Sequence, residues 1–301
     1  MPSLELSPSN VDNQSRPRFR PDFHSTKRYL GDERPPHRVL AHYLLERELS
    51  DRLRRASRTD RHRLYTEVYQ ELFVSLNDHP QRKPRVDNAS REYDRLSKIA
   101  PALYRDSVFL EIGCGDAAVS FQAAEQVRVA YGFDVTEALI DFSAAPPNFT
   151  FLHSCGAGIP LPSEVVDLAY SNQLLEHLHP DDAADQLREV WRVLKSGGHY
   201  VCITPNRVTG PHDISCYFDY AACGLHLQEY DYGTLKALFH EAGFRKFACK
   251  SFIRDYGFFL PSPAVRALEY FLLLVPNSLR AALARVSPVQ SMLGLNFIAV
   301  K

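Results

Sequence analysis

The sequence predicts an α/β fold: a largely parallel sheet with helices on both faces, preceded by a helical extension. Three observations carry this. From Ser107 to about Thr204, short apolar runs alternate with helical stretches, the rhythm of βαβ units whose parallel strands are covered on both faces. The first run, "VFLEI", meets a glycine-broken turn, "GCGD", and reads on into a helical stretch. Before it, about 100 residues read as helices joined by Pro-containing connections.

Residues 1–35 are rich in Pro, Arg and Ser and lack periodicity, which predicts a flexible or loosely docked arm. Residues 36–105 predict a helical N-terminal lid or extension. In "HRVLAHYLLERELSDRLRRAS", Leu40, Tyr43, Leu44, Leu49 and Leu53 fall near helical spacing. "RHRLYTEVYQELFVSL" repeats the pattern with Leu64, Val68, Leu72 and Phe73. Pro80 and Pro84 break it, and "ASREYDRLSKIAPAL" predicts a third helix.

Residues 106–255 form the expected core. Its strands are "SVFLEI", "RVAYGFDV", "NFTFLHS", "VVDLAYSN" and "GGHYVCITPN". Between them lie the helices "AVSFQAAEQV", a short "EALIDFSA", and "PDDAADQLREVWRVLK" with Pro180 and Asp181 as start signals. An irregular stretch follows Asn206, then a helix ending at Gly243 and the strand "RKFACKSFI". Residues 256–301 predict a helical cap and a final strand, "LNFIAVK".

Composition narrows the class of function. A chain of 301 residues, 45% hydrophobic and 24% charged, suits one large domain with additions. A net charge of -1 supplies no global field for nucleic acid. The Arg runs "RPRFR" and "RLRRASR" are accompanied by acidic residues nearby and read as solvated helix faces. Six Cys without a CxxC pair suggest a reduced, cytoplasmic protein, and the polar N-terminus shows no secretory h-region. "FFLPSP" and "YFLLLVPN" are too short to span a bilayer, so they read as buried helix or lid, with a membrane-surface role as the lesser option.

The turn after the first strand suits a nucleoside. Gly113 and Gly115 admit backbone angles closed to other residues, and the next helix aims its N-terminus at the ligand. Asp134 lies about 20 positions further on, at the end of the second strand, where a carboxylate can hold ribose hydroxyls. A nicotinamide dinucleotide suits the same layout, and Ala118 is an accepted variant of its third glycine. Glu111 argues against it. Two residues before Gly113, its carboxylate would face the ligand, repelling a pyrophosphate and attracting an ammonium.

With these residues in view, "FLEIGCGDA", "GFDV", "IPLPSEVVDLAYSNQLLEHL" and "LKSGGHYVCITPN", in this order, resemble the class I S-adenosylmethionine-dependent methyltransferases over residues 105–250. The resemblance implies a Rossmann-like sheet, mainly parallel with an antiparallel C-terminal strand. It implies S-adenosyl-L-methionine as cofactor and S-adenosyl-L-homocysteine as product. By it, Glu111, Gly113, Cys114 and Gly115 face the methionine part, Asp134 takes the ribose hydroxyls, and Val135 packs on adenine. Ser171, Asn172 and Gln173 line the sulfonium side. Many relatives place an acidic residue after the third strand for the adenine amino group. Here Cys155 and Gly156 stand there, and backbone groups would have to serve.

Methyl transfer from a sulfonium needs nucleophile, methyl and sulfur held in line, with water excluded. An acceptor hydroxyl gains from a general base, and His is suited near neutral pH. His177, after the fourth strand, and His226, after the fifth, are the catalytic candidates; His179 reads as a surface turn residue, and His212 with Asp213 as a second polar pair. "QLLEH" followed by "LHLQEY" also resembles the metal-dependent O-methyltransferases of small-RNA ends and ubiquinone synthesis. That resemblance implies Glu176, His177 and His226 as ligands of a divalent ion. Gln173 replaces a carboxylate of that pattern and weakens a hard-cation site, so no metal is expected. The aromatic segments around Tyr217, Phe218, Tyr220, Tyr256, Phe258, Phe259, Tyr270 and Phe271 are candidates to roof a pocket for an apolar or aromatic small molecule, or are simply core. The expected function is methylation of a small molecule, on oxygen first, with transfer to carbon or nitrogen left open. The alternatives are an NAD(P)-dependent oxidoreductase, whose Tyr-x-x-x-Lys pair is not found near the fourth strand, and a non-catalytic cofactor-binding subunit.

Overall fold

A computed structural model of the protein describes residues 17–80, 92–94, 96–98, 100, 103–154, 158–253, 256–259 and 261–301. One eight-stranded sheet organises them, in the order β3-β2-β1-β4-β5-β8-β6-β7. The strands are β1 (Val108–Ile112), β2 (Val129–Asp134), β3 (Phe149–His153), β4 (Val166–Asn172), β5 (Leu194–Thr204), β6 (Lys246–Ile253), β7 (Tyr256–Phe259) and β8 (Leu295–Val300). The pairs β1–β2, β1–β4, β2–β3 and β4–β5 are parallel. The last strand, β8, is antiparallel as expected, inserted between β5 and β6 and antiparallel to both.

The apolar runs become strands because both faces of each are covered. In β1, Val108, Leu110 and Ile112 join one core cluster and Phe109 the other. In β5, Tyr200 and Cys202 alternate in the same way with Val201 and Ile203, the period of two that a pleated strand imposes.

The described helices are α1 (Phe23–Leu30), α2 (Pro36–Arg55), α3 (Arg58–Ser75), α4 (Ala118–Ala124), α5 (Pro180–Val193), α6 (Tyr232–Glu241), α7 (Ser262–Leu274), α8 (Asn277–Ala284) and α9 (Ser287–Leu293). Helix α5 starts on Pro180, capped by the His179 side chain, and buries Ala183, Leu187, Val190 and Val193 along one stripe. Each such aliphatic side chain contributes about 1.5–3 kcal/mol on burial.

The extension is bolted to the core at the carboxyl edge of the sheet. Leu49 and Leu53 of α2 and Tyr65, Val68 and Leu72 of α3 pack with Leu225 and Leu227. The Arg61 guanidinium donates twice to Asp182, at 2.8 and 3.0 Å, in the first turn of α5. The Tyr65 hydroxyl donates to the same carboxylate at 2.9 Å and accepts the His179 N–H at 2.8 Å.

Four expectations are modified. Within the expected flexible arm, α1 is docked: Phe23 is buried, with its ring edge-on to Tyr217 at 5.5 Å, and Arg20 is paired with Asp22. One helix of eight residues held by a few aromatic and arginine contacts leaves no periodicity to read. "EALIDFSA" forms only a 3₁₀ turn, Phe142–Ala144, because the Asp141 carboxylate takes the Ser143 N–H and competes with a helix. β7 lies where a helix was expected. There the pairing of "YGFF" with β6 outweighs local preference. Of the third predicted N-terminal helix, residues 92–94 and 96–98 are helical and the remainder is largely outside the described residues.

Candidate cofactor and acceptor site

The site is assembled at the carboxyl ends of β1, β2, β4 and β5. After Ile112 the chain turns through Gly113–Asp116 into α4. Gly113, at φ 71°, donates its N–H to Phe133 O at 2.8 Å. A Cβ there would meet the Leu174 side chain at 2.9 Å, so both the angle and the neighbour require glycine. Gly115, at φ 54°, donates its N–H to Asp134 Oδ2 at 2.9 Å, and a Cβ there would meet nothing within 4 Å. Open space therefore lies above the loop. Asp134 also accepts the Thr136 N–H at 3.3 Å. Burial raises its pKa despite these bonds.

Glu111 is buried on β1 and accepts from Ser120 twice at one oxygen, from N–H at 2.9 Å and Oγ at 2.5 Å. Burial pushes its carboxyl up to about 8; Ser120 works against this, and the charges of Glu92 and Asp116 add to it. The carboxyl is therefore largely protonated at neutral pH. A ligand ammonium favours the carboxylate and expels the proton. Cofactor binding at pH 7 is expected to release close to one proton, and affinity to rise with pH until it levels off near 8. Calorimetry in buffers of different ionisation enthalpy reads this; proton-neutral binding between pH 6 and 8 would remove Glu111 from the ammonium.

The other expected cofactor residues divide. The Cys114 thiol turns into the core beside Gly132 of β2, so only its backbone belongs to the loop. Val135 packs beneath the α2–α3 cluster, and its carbonyl accepts from Thr66 Oγ1 at 3.3 Å. Ser171 does not line the site. Its hydroxyl lies 2.7 Å from Tyr200 Oη and is 1% exposed, because strand alternation turns it into the core. Asn172 faces the other way, donating from Nδ2 to Glu92 Oε1 at 2.5 Å; Tyr170 Oη donates to the same oxygen at 3.2 Å. Gln173 is exposed on a turn at φ 55°. Cys155 and Gly156 lie outside the described residues.

The acceptor side brings together residues about 50 positions apart. Glu176 and His177 sit in a 3₁₀ turn, Leu175–His177, beyond β4, and their partners in the loop before α6. The rings of His177 and His226 meet edge-on at 4.7 Å. His177 Nδ1 is 3.1 Å from Leu225 O, and His226 Nδ1 is 2.8 Å from Glu229 Oε1. A carbonyl and a carboxylate only accept, so each Nδ1 carries the hydrogen; a neutral ring then leaves Nε2 with a lone pair. Glu176 is fully buried. Its Oε2 accepts from Thr204 Oγ1 at 2.9 Å, while Oε1 has no hydrogen-bond partner.

Charge divides the two histidines. Burial lowers the pKa of His226, but the Glu229 hydrogen bond and the nearby Glu176 and Asp213 carboxylates outweigh it and hold the ring at about 9. Burial, together with the positive charge of His226, pushes His177 down to about 3. Burial raises Glu176 to about 7. His179 caps α5, as its turn position suggested, and His212 bonds Thr209 at 2.9 Å at the surface.

Among the described residues, two groups hold metal-ligand geometry: Glu176–His177–His226 and His42–Glu46–His79, with the ligand atoms of each within 4.8 Å of one another. The second is a closed structural network. Arg34 can only donate, so His42 Nδ1, at 2.8 Å, accepts. Its Nε2–H then donates to Glu46 at 2.6 Å, leaving no lone pair for an ion. Glu46 Oε2 takes the Leu225 N–H at 3.0 Å. The carbonyl of Leu225 orients His177, so α2 braces the acceptor side. The first group has the open oxygen of Glu176, and both of its imidazoles are oriented through Nδ1 as metal-binding histidines are.

The aromatics expected either to roof the acceptor pocket or to be core divide. Tyr217 and Phe218 are buried against Phe23, Val39 and Tyr43, Tyr270 and Phe271 face solvent, and the side chain of Tyr256 is outside the described set. Tyr69 of α3 stands edge-on to the His177 ring, with centroids 6.2 Å apart. Sequence reading missed Glu92, Glu46, Tyr69 and Glu229. Only Glu229 had a local signal, three residues after His226 in "HLQE".

An α/β sheet with a nucleoside-type glycine loop and a carboxylate closing the next strand defines a cofactor-dependent enzyme class. Residues 110–202 match the family model of the methyltransferase domain, and the chain is similar to S-adenosylmethionine-dependent methyltransferases. A protein of Mycolicibacterium smegmatis named as a probable S-adenosylmethionine-dependent methyltransferase is 34% identical over 136 residues, 45% of this chain and 51% of that protein. A protein of Mycobacterium tuberculosis with the same description is 34% identical over 155 residues, 50% of this chain and 52% of that protein. The chain thus spans about half the length of these curated relatives. A chain of the Haloferax volcanii complex containing the Trm112 methyltransferase activator superposes with a TM-score of 0.51 at 15% identity, over 75% of this chain and 96% of that one, and shares the fold.

Proposed function

We propose that this chain transfers a methyl group from S-adenosylmethionine to a hydroxyl oxygen of a small molecule. The supporting observation is that the Gly113–Gly115 loop with Asp134 and the buried His226–Glu229 pair share one sheet edge. The cofactor, when bound, supplies an electrophilic methyl group on a positively charged sulfur. Asp134, oriented by the Gly115 N–H, is placed for ribose hydroxyls, and Glu111 for the ammonium. His226 takes the acceptor proton at Nε2, and Glu229 stabilises the imidazolium through Nδ1. Helix α3, with Tyr69, excludes water. The polar surroundings of His226 argue for a hydroxylated acceptor in place of the apolar or aromatic one expected. The free thiols of Cys114, Cys202, Cys216, Cys223 and Cys249 support a reduced, cytoplasmic setting.

The partnerless Glu176 Oε1 favours a second reading of the same side chains. Glu176, His177 and His226 fit a divalent ion, which would lower the pKa of an acceptor hydroxyl as a Lewis acid. Gln173 adds no charge to that set.

Calorimetric titration tests the cofactor: saturable S-adenosylmethionine binding is expected and NADH binding is not. The opposite result would leave the oxidoreductase reading, and cofactor binding without turnover on any hydroxylated acceptor would leave the non-catalytic one.

A further inference from the structure

Helix α7 is apolar on the side that faces solvent as well as on the side that faces the protein. Val265, Glu269 and Leu272, at i, i+4 and i+7, seat it on the core. Away from that stripe, Tyr270 is 66% exposed, Phe271 55% and Leu274 66%, and Leu279 of the adjoining α8 is 49% exposed. An amphipathic surface helix would place polar residues there. Large exposed apolar patches of this kind mark interaction surfaces.

The charges around the patch say what it meets. Between Tyr256 and Leu293 the one acidic residue is Glu269, and the cations are Arg266, Arg280 and Arg285. Glu269 is buried, and its Oε1 accepts from Asn206 Nδ2 at 2.7 Å and the Tyr232 N–H at 2.9 Å. The exposed charge contributed by the cap is therefore positive, with Arg285 ion-paired to Asp22 at 3.3 Å and Arg266 and Arg280 left to carry it. The Arg285 guanidinium lies 5.4 Å over the Tyr29 ring, which brings the exposed Arg28, Tyr29 and Leu30 of α1 beside α8.

We propose that the α7–α8 face docks in the interface of an anionic lipid bilayer, with Tyr270, Phe271 and Leu274 entering the headgroup–acyl boundary and Arg266 and Arg280 meeting lipid phosphates. A two-fold-related copy of this chain is a poorer occupant, because self-pairing of the face would set its arginines against like charge. The contact is peripheral: among the described residues no helix is long and apolar enough to cross a membrane. Glu269 ties α7 to Asn206, just past β5, so a docked molecule holds its carboxyl edge near the lipid. The inference does not depend on the acceptor proposed above.

Vesicle co-sedimentation of the full chain tests it. Vesicles of phosphatidylcholine with about a third phosphatidylglycerol are expected to bind at least tenfold more tightly than phosphatidylcholine alone, and 0.5 M NaCl to reverse most of that gain. The triple variant Tyr270→Ser, Phe271→Ser, Leu274→Ser and the double variant Arg266→Gln, Arg280→Gln should each lose at least tenfold, with unchanged circular dichroism and S-adenosylmethionine affinity. Salt-insensitive or equal binding to both vesicles by the unaltered chain overturns the proposal whatever the variants do. So does a dimer in sedimentation velocity that Phe271→Ser dissolves and that binds no vesicle.

Discussion

Asp134→Ala is expected to raise the dissociation constant for S-adenosylmethionine at least tenfold. The carboxylate has two parts in the cofactor side. On the function proposed above it accepts the ribose hydroxyls, and it fixes the Gly115 N–H at 2.9 Å, so its loss also releases the glycine turn. Hydrogen bonds to a charged group contribute about 1.5–3 kcal/mol each, and about 1.4 kcal/mol is a factor of ten. Asp134→Asn separates the two parts. Its amide oxygen still accepts from Gly115, so the turn survives while the charge on the ribose is lost, and an intermediate affinity is expected. Calorimetry at fixed pH and salt measures both. An affinity for Asp134→Ala equal to that of the unaltered chain would mean that the ribose lies elsewhere.

That prediction could be made from sequence, and the reason is local. The strand, the glycine turn, Glu111 and Asp134 lie within one βαβ unit, whose rhythm and punctuation fix where each falls. Ser171 shows the limit of this. It stands in the right block, but a one-residue step along β4 turns it into the core against Tyr200, while Asn172 and Tyr170 turn towards Glu92. Glu92 comes from ahead of β1, and Glu46 and Tyr69 come from the extension. No spacing in the chain relates them to β4 or to Leu225, because the contacts exist only once the helices have docked through Arg61, Tyr65 and Asp182. The aromatic run at Tyr217 and Phe218 is ambiguous for the opposite reason. Composition alone does not distinguish a ligand roof from a seam between elements, and here the partners Phe23, Val39 and Tyr43 make it a seam.

His226→Ala is expected to lower kcat about 10²–10³-fold, as loss of a general base does, with the dissociation constant for S-adenosylmethionine within twofold. The pH profile gives the sharper reading. A base must be deprotonated to act, and the ring in the folded protein titrates at about 9. The rate of the unaltered chain should therefore climb close to tenfold per pH unit below that value and level off above it. Stability moves the other way. The contribution of the His226–Glu229 pair is complete below the ordinary histidine pKa and is lost as pH rises through about 9, so unfolding must be followed in parallel. Glu229→Gln removes the group that holds the imidazolium; the rising limb should shift to lower pH while some activity remains. If His226 instead holds an ion, chelation abolishes activity, a divalent cation restores it, and Glu176→Gln falls as far as His226→Ala. A rate that is flat from pH 7 to 9, indifferent to chelators and unchanged in His226→Ala would remove His226 from the chemistry under both readings. The acceptor proton would then have to leave by another group at the same sheet edge.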